Sequence, residues 1–191
     1  MGLIKNSLEE ALRTMEKFVS DSATEASIEK AACLIGDALK KGGKMITCGN
    51  GGSLCDASHF AEELTGRFRN NRRPLPAIAI NDPAHITCVA NDYGFDDVFS
   101  NYVEALGTAN DVLIGFSTSG NSENVIRAAE TALKKGMKVI AMTRKGNNRL
   151  SKLADVVIAV DHEGFSDRIQ EMHILAVHIM IERVEEICNQ I

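Results

Sequence analysis

The chain has 191 residues, of which 45% are hydrophobic and 25% are charged, and its formal net charge is −5. This size fits one globular domain, and a domain of about this length buries roughly 70% of its unfolded surface without disulfide staples. Lysine and arginine form no long block, so the composition argues against a nucleic-acid-binding surface. No apolar run reaches the length of a membrane span, so no membrane partner is expected.

Two amphipathic helices are predicted before the first strand. Apolar residues recur at helical spacing over 3–19 and again over 28–39, and Gly42 and Gly43 then supply a stop signal. We interpret residues 1–43 as a helical N-terminal arm of a single domain that comprises residues 1–191. The arm would cover a sheet or pack against another subunit.

A glycine-rich turn follows the first apolar run, residues 44–48. Gly49, Gly51 and Gly52 occupy three of four positions, and a helical pattern over 53–64 leaves the turn. Glycines let the backbone turn sharply and approach a ligand closely, and a helix start attracts anions through its free N–H groups and dipole. Ser53 also opens Ser53-x-x-Asp56, which fits a helix-capping box, so the alternative is that Ser53 only caps its helix.

Five short apolar runs are candidate strands, and helical patterns separate them. Each run is apolar throughout, as buried parallel strands are. Together they predict an α/β fold with a doubly wound parallel sheet of about five strands. Ligands in such sheets bind beyond the carboxyl ends of the strands. The runs lie at 45–48, 77–80, 112–116, 139–142 and 156–160.

A second polar loop follows the run at 112–116. Ser117, Thr118, Ser119 and Ser122 cluster around Gly120, and a helical pattern comes next. A polar turn with a helix N-cap is the alternative, but four hydroxyls within six residues exceed what a cap requires. Free N–H groups and hydroxyls suit the oxygens of a phosphate monoester. The loop matches neither a Walker loop nor G-x-G-x-x-G, so a nucleotide ligand is not indicated.

Four side chains on two predicted helices have the chemistry of a metal site. His59 and Glu63 are four residues apart and share a helix face, while Gln170 and His178 are eight apart on the last predicted helix, 168–188. Two imidazoles, a carboxylate and an amide oxygen suit zinc or another divalent ion. Taken singly, each is better explained without a metal: His59 and Glu63 as a solvent-exposed pair, Gln170 as a glutamine at the edge of the core, and His178 as a histidine with a hydrogen-bond partner. The sequence alone does not place the two helices side by side.

Five segments of the chain are the most specific for its identity: CGNGGS at 48–53, HFAEELTGRF at 59–68, VANDYGF at 89–95, DVLIGFSTSGNSENVI at 111–126 and DRIQEMHILAVHIM at 167–180. Taken together and in this order, they resemble the bacterial phosphoheptose isomerases of the sugar isomerase (SIS) domain superfamily. The resemblance covers nearly the whole chain and implies the SIS fold. Leu54 departs from it, because many relatives carry a small residue or histidine there.

The resemblance also implies an activity, a cofactor and a set of site residues. It implies isomerisation of sedoheptulose 7-phosphate to D-glycero-D-manno-heptose 7-phosphate, a precursor of lipopolysaccharide heptose, by a homotetramer with active sites between subunits. Glu63 and His178 correspond to the family's acid–base groups. Its zinc ligands, one ion per site, correspond to His59, Glu63, Gln170 and His178. Its substrate contacts correspond to Asn50, Gly51, Gly52, Ser53, His59, Glu63, Arg67, Asn91, Asp92, Ser117, Thr118, Ser119, Ser122, Asp167 and Gln170.

Two other functions are compatible with much of the same sequence. One is a non-catalytic SIS regulator, as in a sister group that binds the bacterial replication initiator protein. That group lacks the counterparts of Glu63 and His178, and both are present here, which favours the enzyme. The other is a phosphosugar-sensing module with the same pocket and no turnover. The five cysteines, an odd number without a C-x-x-C pair, indicate reduced thiols in a cytosolic protein.

Overall fold

A five-stranded, fully parallel sheet forms the centre of the protein in the computed structural model, which describes residues 2–189. The strands are β1 Met45–Gly49, β2 Ala77–Ala79, β3 Val112–Ser117, β4 Lys138–Arg144 and β5 Val156–Val160. Their order is β2-β1-β3-β4-β5, and the predicted α/β fold is confirmed. The central strands β1 and β3 are buried at every position, which explains why the predicted runs are apolar throughout.

Helices cover both faces of the sheet. The helices are α1 Leu3–Ser20, α2 Ser22–Lys40, α3 Gly52–Thr65, α4 Pro83–Asp92, α5 Ser100–Leu106, α6 Glu123–Lys134, α7 Arg149–Leu153 and α8 Ser166–Asn189. A short 3-10 helix, Phe95–Asp97, precedes α5. One hydrophobic cluster joins α1, α2, α3 and α8 to the first face, and a second cluster joins α4 to α7 to the other. No helix within residues 2–189 is long and apolar enough to cross a membrane.

The strand order places a topological switch point between β1 and β3. From β1 the chain moves outward to β2, then returns to the other side of β1 and continues through β3, β4 and β5. The helices that follow β1 and β3 lie on opposite faces of the sheet, which opens a crevice at the carboxyl ends of these two strands. The two loops that the sequence singles out, 49–53 and 117–122, therefore lie next to each other.

The N-terminal helices pack unequally. The helix α2 buries Ile28, Ala32 and Ile35 against α8 and the sheet. The helix α1 buries only Thr14 and Phe18, and it leaves a row of large apolar side chains exposed. This row consists of Leu3, Ile4, Leu8, Leu12, Met15 and Val19, and their exposed fractions run from 41% to 86%. A second apolar surface is needed to cover it.

His173 makes the stability of the fold sensitive to acid. The side chain is fully buried on α8, edge-on to Phe116, and burial lowers the pKa of its imidazole from 6.5 to about 4. The unfolded chain therefore binds this proton below about pH 6.5, whereas the folded protein does so only near pH 4. The free energy of unfolding is expected to fall as the pH is lowered through this window, by up to roughly 3 kcal/mol from this group alone.

Denaturant titrations at several pH values between 4 and 7 test this expectation. Asp56 on α3 changes the free energy of unfolding in the opposite direction. Burial raises the pKa of its carboxyl to about 6, so its contribution to stability falls as the pH rises from 4 to 6. The informative quantity is thus the difference between wild type and His173→Leu. An identical pH dependence in both proteins would contradict the assignment to His173.

Candidate functional site

The first loop at the switch point is shaped by glycine. Gly51 is the N-cap residue of α3, and its φ of +55° is a backbone conformation that is strained for residues with a side chain. Because glycine has no side chain, the start of α3 has no side-chain capping hydrogen bond. The helix therefore begins at Gly52, and Ser53 lies inside the first turn, nearly fully buried. The capping box predicted at Ser53-x-x-Asp56 is wrong for this reason. The hydroxyl of Ser53 is not used as a cap at the start of α3.

Gln170 on α8 packs directly against the start of α3. A methyl group built at Gly52 would lie 2.8 Å from both Oε1 and Nε2 of Gln170. Glycine leaves room for this close approach, whereas a methyl group at this position would push the amide of Gln170 aside. The side-chain amide of Gln170 thus lies beside the glycine-rich loop.

The second loop gathers its hydroxyls on one side. The Oγ atoms of Ser117 and Ser122 are 2.9 Å apart, and Ser119 Oγ lies 3.5 Å from Ser117 Oγ. Ser122 is the N-cap residue of α6, but its side chain makes no capping hydrogen bond. The hydroxyls therefore face one another instead of closing the helix, and each can turn its proton toward an incoming oxyanion.

A reciprocal amide pair joins the two loops. Asn50 Nδ2 donates to Asn124 Oδ1, and Asn124 Nδ2 donates back to Asn50 Oδ1, both over 2.9 Å. Asn124 is 2% exposed in the first turn of α6. Asn50 was predicted as a site residue from the sequence, whereas Asn124 was not, because Asn124 belongs to no recognisable motif. The amide pair fixes the distance between the glycine-rich loop and the hydroxyl loop.

Three of the four predicted metal ligands come together where α3 and α8 lie side by side. His59 Nε2 is 3.2 Å from Glu63 Oε1 and 3.5 Å from His178 Nε2, and one donor atom from each residue lies within 4.8 Å of the others. The imidazole of His178 also stacks on Phe68, with ring centroids 5.7 Å apart. Two imidazole nitrogens and a carboxylate at these separations fit one divalent ion such as zinc.

The fourth predicted ligand, Gln170, lies apart from this group. It precedes His178 by eight residues, which is about 12 Å along a helix axis. Its amide contacts Gly52, seven residues before His59, so α3 and α8 run in the same direction with Gln170 at one end and His178 further along. Within one subunit, the structure thus gathers His59, Glu63 and His178 and leaves Gln170 at the loop.

Asp56 is a further residue of this region, and from the sequence it was considered only as part of a helix cap. It lies on α3 one turn before His59, and its Oδ2 atom is buried without a hydrogen-bond partner within residues 2–189. Burial raises the pKa of this carboxyl to about 6, and the nearby His59 partly opposes the shift. The signal available in the sequence was the i, i+3 and i, i+7 spacing of Asp56 to His59 and Glu63.

Four of the predicted substrate-binding residues lie at the surface of the single chain. Arg67, Asn91, Asp92 and Asp167 are all exposed. Their polar contacts are with residues close by in sequence: Arg67 Nη1 donates to Asn71 Oδ1, Asn91 Nδ2 donates to Asp92 Oδ1, and Asp167 pairs with Arg168. Thr118 is half-buried in the hydroxyl loop. The four exposed residues remain available to a ligand or to a second subunit.

Comparison with known proteins places this geometry in a family. Residues 8–144 match the family model described as the SIS domain. The chain is 57% identical over 184 residues to the phosphoheptose isomerase of Sodalis glossinidius, with 96% of this chain and 95% of that protein covered. A phosphoheptose isomerase structure from Neisseria gonorrhoeae has a TM-score of 0.88 at 40% identity and covers 96% of this chain and 97% of its own. One from Francisella tularensis has a TM-score of 0.90 at 36% identity and covers 96% of both chains.

Proposed function

Because the chain belongs to the SIS domain family and, within it, to the phosphoheptose isomerases, we propose that it converts sedoheptulose 7-phosphate to D-glycero-D-manno-heptose 7-phosphate. This is an aldose–ketose isomerisation, an intramolecular oxidoreduction. The observation that carries the proposal is the group of His59, Glu63 and His178 beside two loops with the chemistry of a phosphate site. The product would supply the heptose of lipopolysaccharide precursors.

The reaction moves hydrogen from C1 to C2 through an enediol. A base removes a proton from C1 while the carbonyl oxygen at C2 gains one, and the hydroxyl at C1 then loses its proton as C2 is protonated. Glu63 suits the carbon base, because one carboxylate can serve both adjacent carbons in turn. His178 suits the proton shuttle between the two oxygens, because an imidazole accepts and donates protons near neutral pH.

A divalent metal, with zinc as our choice, is the cofactor we propose for this site. His59, Glu63 and His178 would hold it, and Gln170 would become the fourth ligand only if its amide leaves Gly52. The ion, when bound, would supply a positive charge that polarises the sugar carbonyl. A carboxylate or imidazole on a metal is less free to move protons. Either the metal is therefore loosely held, or one of these residues changes its role during turnover.

The substrate's phosphate is proposed to bind at the two loops of the switch point. Ser117, Ser119 and Ser122 offer hydroxyls, Thr118 a further one, and the N-terminus of α6 offers free N–H groups. Ser53 is a second contact from the neighbouring loop, and Asn50, Gly51 and Gly52 would approach the sugar through their backbone. The amide pair between Asn50 and Asn124 would keep the two loops in register.

We propose that the working enzyme is a homotetramer in the cytoplasm, with active sites between subunits, and that residues 1–191 form one SIS domain. The exposed apolar row of α1 supports assembly, because it needs a partner surface. Arg67, Asn91, Asp92 and Asp167 are exposed in the single chain, and they would reach the sugar from a neighbouring subunit. Light scattering at micromolar concentration tests the assembly, and a stable monomer would refute it.

An assay with sedoheptulose 7-phosphate tests the proposed activity and separates it from its alternatives. Formation of the aldose, followed by NMR, supports the isomerase. Binding of the ketose without turnover would instead indicate a phosphosugar-sensing module. A regulator that binds the replication initiator would show neither, and the presence of Glu63 and His178 in one contact group argues against it.

Removing hydroxyls from the second loop should weaken substrate binding. Ser119→Ala and Ser122→Ala are each expected to reduce affinity by about 1–3 kcal/mol, because each would lose a hydrogen bond to a charged phosphate oxygen. The fold should survive, since Ser119 is exposed and Ser122 does not cap α6 with its side chain. The Michaelis constant for sedoheptulose 7-phosphate is the measurement, with Ser20→Ala at the end of α1 as control. Unchanged kinetics in both loop variants would show that their hydroxyls do not bind phosphate.

Metal binding can be measured without turnover. We expect about one zinc ion per chain by elemental analysis, and a His59→Ala variant that binds zinc at least about tenfold more weakly. His85 provides the matched control, because its Nε2 atom lies against the carbonyl oxygen of Val98, on the opposite face of the sheet. Chelation should lower the activity, and added zinc should restore it. Full activity in protein shown to be metal-free would remove any catalytic role for the ion.

A further inference from the structure

A second polar cavity lies beside the hydroxyl loop, on the side toward β4. It has a volume of about 350 Å³ and opens between the 117–122 loop and the segment that follows β4. Pockets for small ligands begin at roughly this size. Its lining includes Ser119, Asn121, Arg144, Lys145, Asn147 and Asn148. No acidic residue of the described part of the chain, residues 2–189, lines it.

Arg144, the last residue of β4, carries a charge without a counterion. It forms no ion pair with an acidic side chain within residues 2–189, and its buried Nε atom has no hydrogen-bond acceptor there. Its side chain donates one bond, from Nη2 to the carbonyl oxygen of Gly164 over 3.2 Å. A half-buried guanidinium with an unpaired N–H is costly, because the desolvated donor lacks the partner that water would supply. An anion at the accessible end of this guanidinium would supply the counterion that residues 2–189 do not provide.

The other polar groups of the cavity divide into those already used and those free to donate. Asn148 is occupied within the loop, since it accepts from Ser151 N and donates to the carbonyl oxygen of Arg144. Lys145 pairs with Asp21 over 2.6 Å. Ser119 Oγ accepts from Asn121 N and lies 3.5 Å from Ser117 Oγ, so its proton can turn toward a ligand. Asn147 adds an amide that can donate or accept. The charge left without an acidic partner is positive, which favours a ligand rich in acceptor oxygens.

We propose that this cavity is an anion-binding site for a phosphate-type oxyanion, held mainly by the guanidinium of Arg144. A guanidinium matches phosphate through two parallel N–H donors, whereas an ammonium group acts as a point charge. The oxyanion has two possible sources: the phosphate of the sugar substrate, or a free phosphate-type anion bound next to it. Ser119 borders both the cavity and the hydroxyl loop, so either source is within reach. The inference stands on the cavity and does not require the isomerase activity.

Isothermal calorimetry with inorganic phosphate tests the site in the intact protein. We expect Arg144→Leu to weaken one phosphate-binding event by at least about tenfold, both alone and combined with Ser122→Ala. The phosphate affinity of Arg144→Lys should lie between those of the wild type and Arg144→Leu, because lysine keeps the positive charge but lacks the two parallel N–H donors of a guanidinium. Arg73→Leu is the matched control: it removes the same charge from an exposed residue before β2, at the opposite edge of the sheet. Should Arg144→Leu fail to fold, Arg144→Lys carries the test by itself.

The Michaelis constant for sedoheptulose 7-phosphate in the same variants identifies the source. A rise of about tenfold or more in Arg144→Leu assigns the cavity to the substrate's own phosphate. An unchanged constant, together with the lost phosphate-binding event, assigns it to a free oxyanion. If phosphate binds Arg144→Leu and Arg144→Lys as tightly and in the same amount as the wild type, the anion site does not exist. Calorimetry needs no turnover, so this failure is distinct from a failure of the proposed isomerase.

Discussion

Glu63→Gln and His178→Gln are each expected to lower kcat by about 10²–10⁴-fold while the protein stays folded, because each would remove one of the two proposed general acid–base groups of the isomerisation. The structure supports the choice of these two residues. Glu63 and His178 both contact His59, at the place where α3 and α8 meet. Glutamine keeps nearly the size of glutamate and fills much of the histidine site, so the loss reports chemistry more than packing.

His173→Gln is the control on the same helix. His173 precedes His178 by five residues, which turns it about 140° around the helix, and it points into the core beside Phe116. We expect this variant to lose stability but to keep far more activity per folded molecule. Solvent deuterium at C2 of the product is a second readout, since an enediol route incorporates it when the base exchanges its proton. Near-normal turnover by both Glu63→Gln and His178→Gln would rule out the assignment, whatever the labelling shows.

Arg72→Leu is expected to destabilise the fold by about 3–5 kcal/mol, because it leaves the carboxylate of Glu185 buried and unpaired. The two side chains are only 4% and 10% exposed, and Arg72 Nε donates to Glu185 Oε1 over 2.7 Å. Arg72 also donates to the carbonyl oxygens of Glu63, at 2.6 Å, and Leu64, at 2.8 Å. It thereby closes the carboxyl end of α3, the helix that carries His59 and Glu63. A lower kcat in the surviving folded protein should accompany the lost stability.

The chain offers a matched control for this change. Arg69 and Glu182 form a similar ion pair between the same loop and α8. Each precedes its counterpart, Arg72 or Glu185, by three residues, but these side chains are 58% and 49% exposed. Arg69→Leu should therefore cost no more than about 1 kcal/mol. The double variant Arg72→Leu/Glu185→Leu should recover part of the loss, because it leaves no unpaired charge. Equal denaturation midpoints for Arg69→Leu and Arg72→Leu would contradict the argument from burial.

The strands and long helices were predictable because burial leaves a periodic trace in the sequence. The runs at 112–116 and 156–160 are apolar at every position, and the structure confirms them as β3 and β5 within a residue. The hydroxyl loop was predictable too, since four hydroxyls in six residues have a local cause. These features depend on residues that are close together in the sequence, and for that reason a single sequence was sufficient to predict them.

Features that depend on distant partners were not predictable in the same way. Arg72 lies in the charged segment RFRNNRR, which has the composition of a solvated loop, and its burial depends on Glu185, 113 residues further on. Asn124 acquires its role only through Asn50, across 74 residues. The start of α3 was predicted at Ser53, because nothing in the sequence apart from the glycine itself indicates the positive φ of Gly51. The meeting of His59 and His178 likewise required the packing of two helices.

The helix α3 separates the two ends of the site by a fixed length. Ser53 lies in its first turn, and His59 and Glu63 follow six and ten residues later, about 9 and 15 Å along the axis. A sugar phosphate anchored by its phosphate at the loops would need a carbon chain long enough to carry its carbonyl to the acid–base pair. Under the proposed function, the length of α3 would set which sugar phosphates can react. A shorter sugar phosphate would bind through the same phosphate, but its carbonyl would not reach Glu63 and His178. Discrimination by carbon number then needs no contact with the individual hydroxyls along the chain.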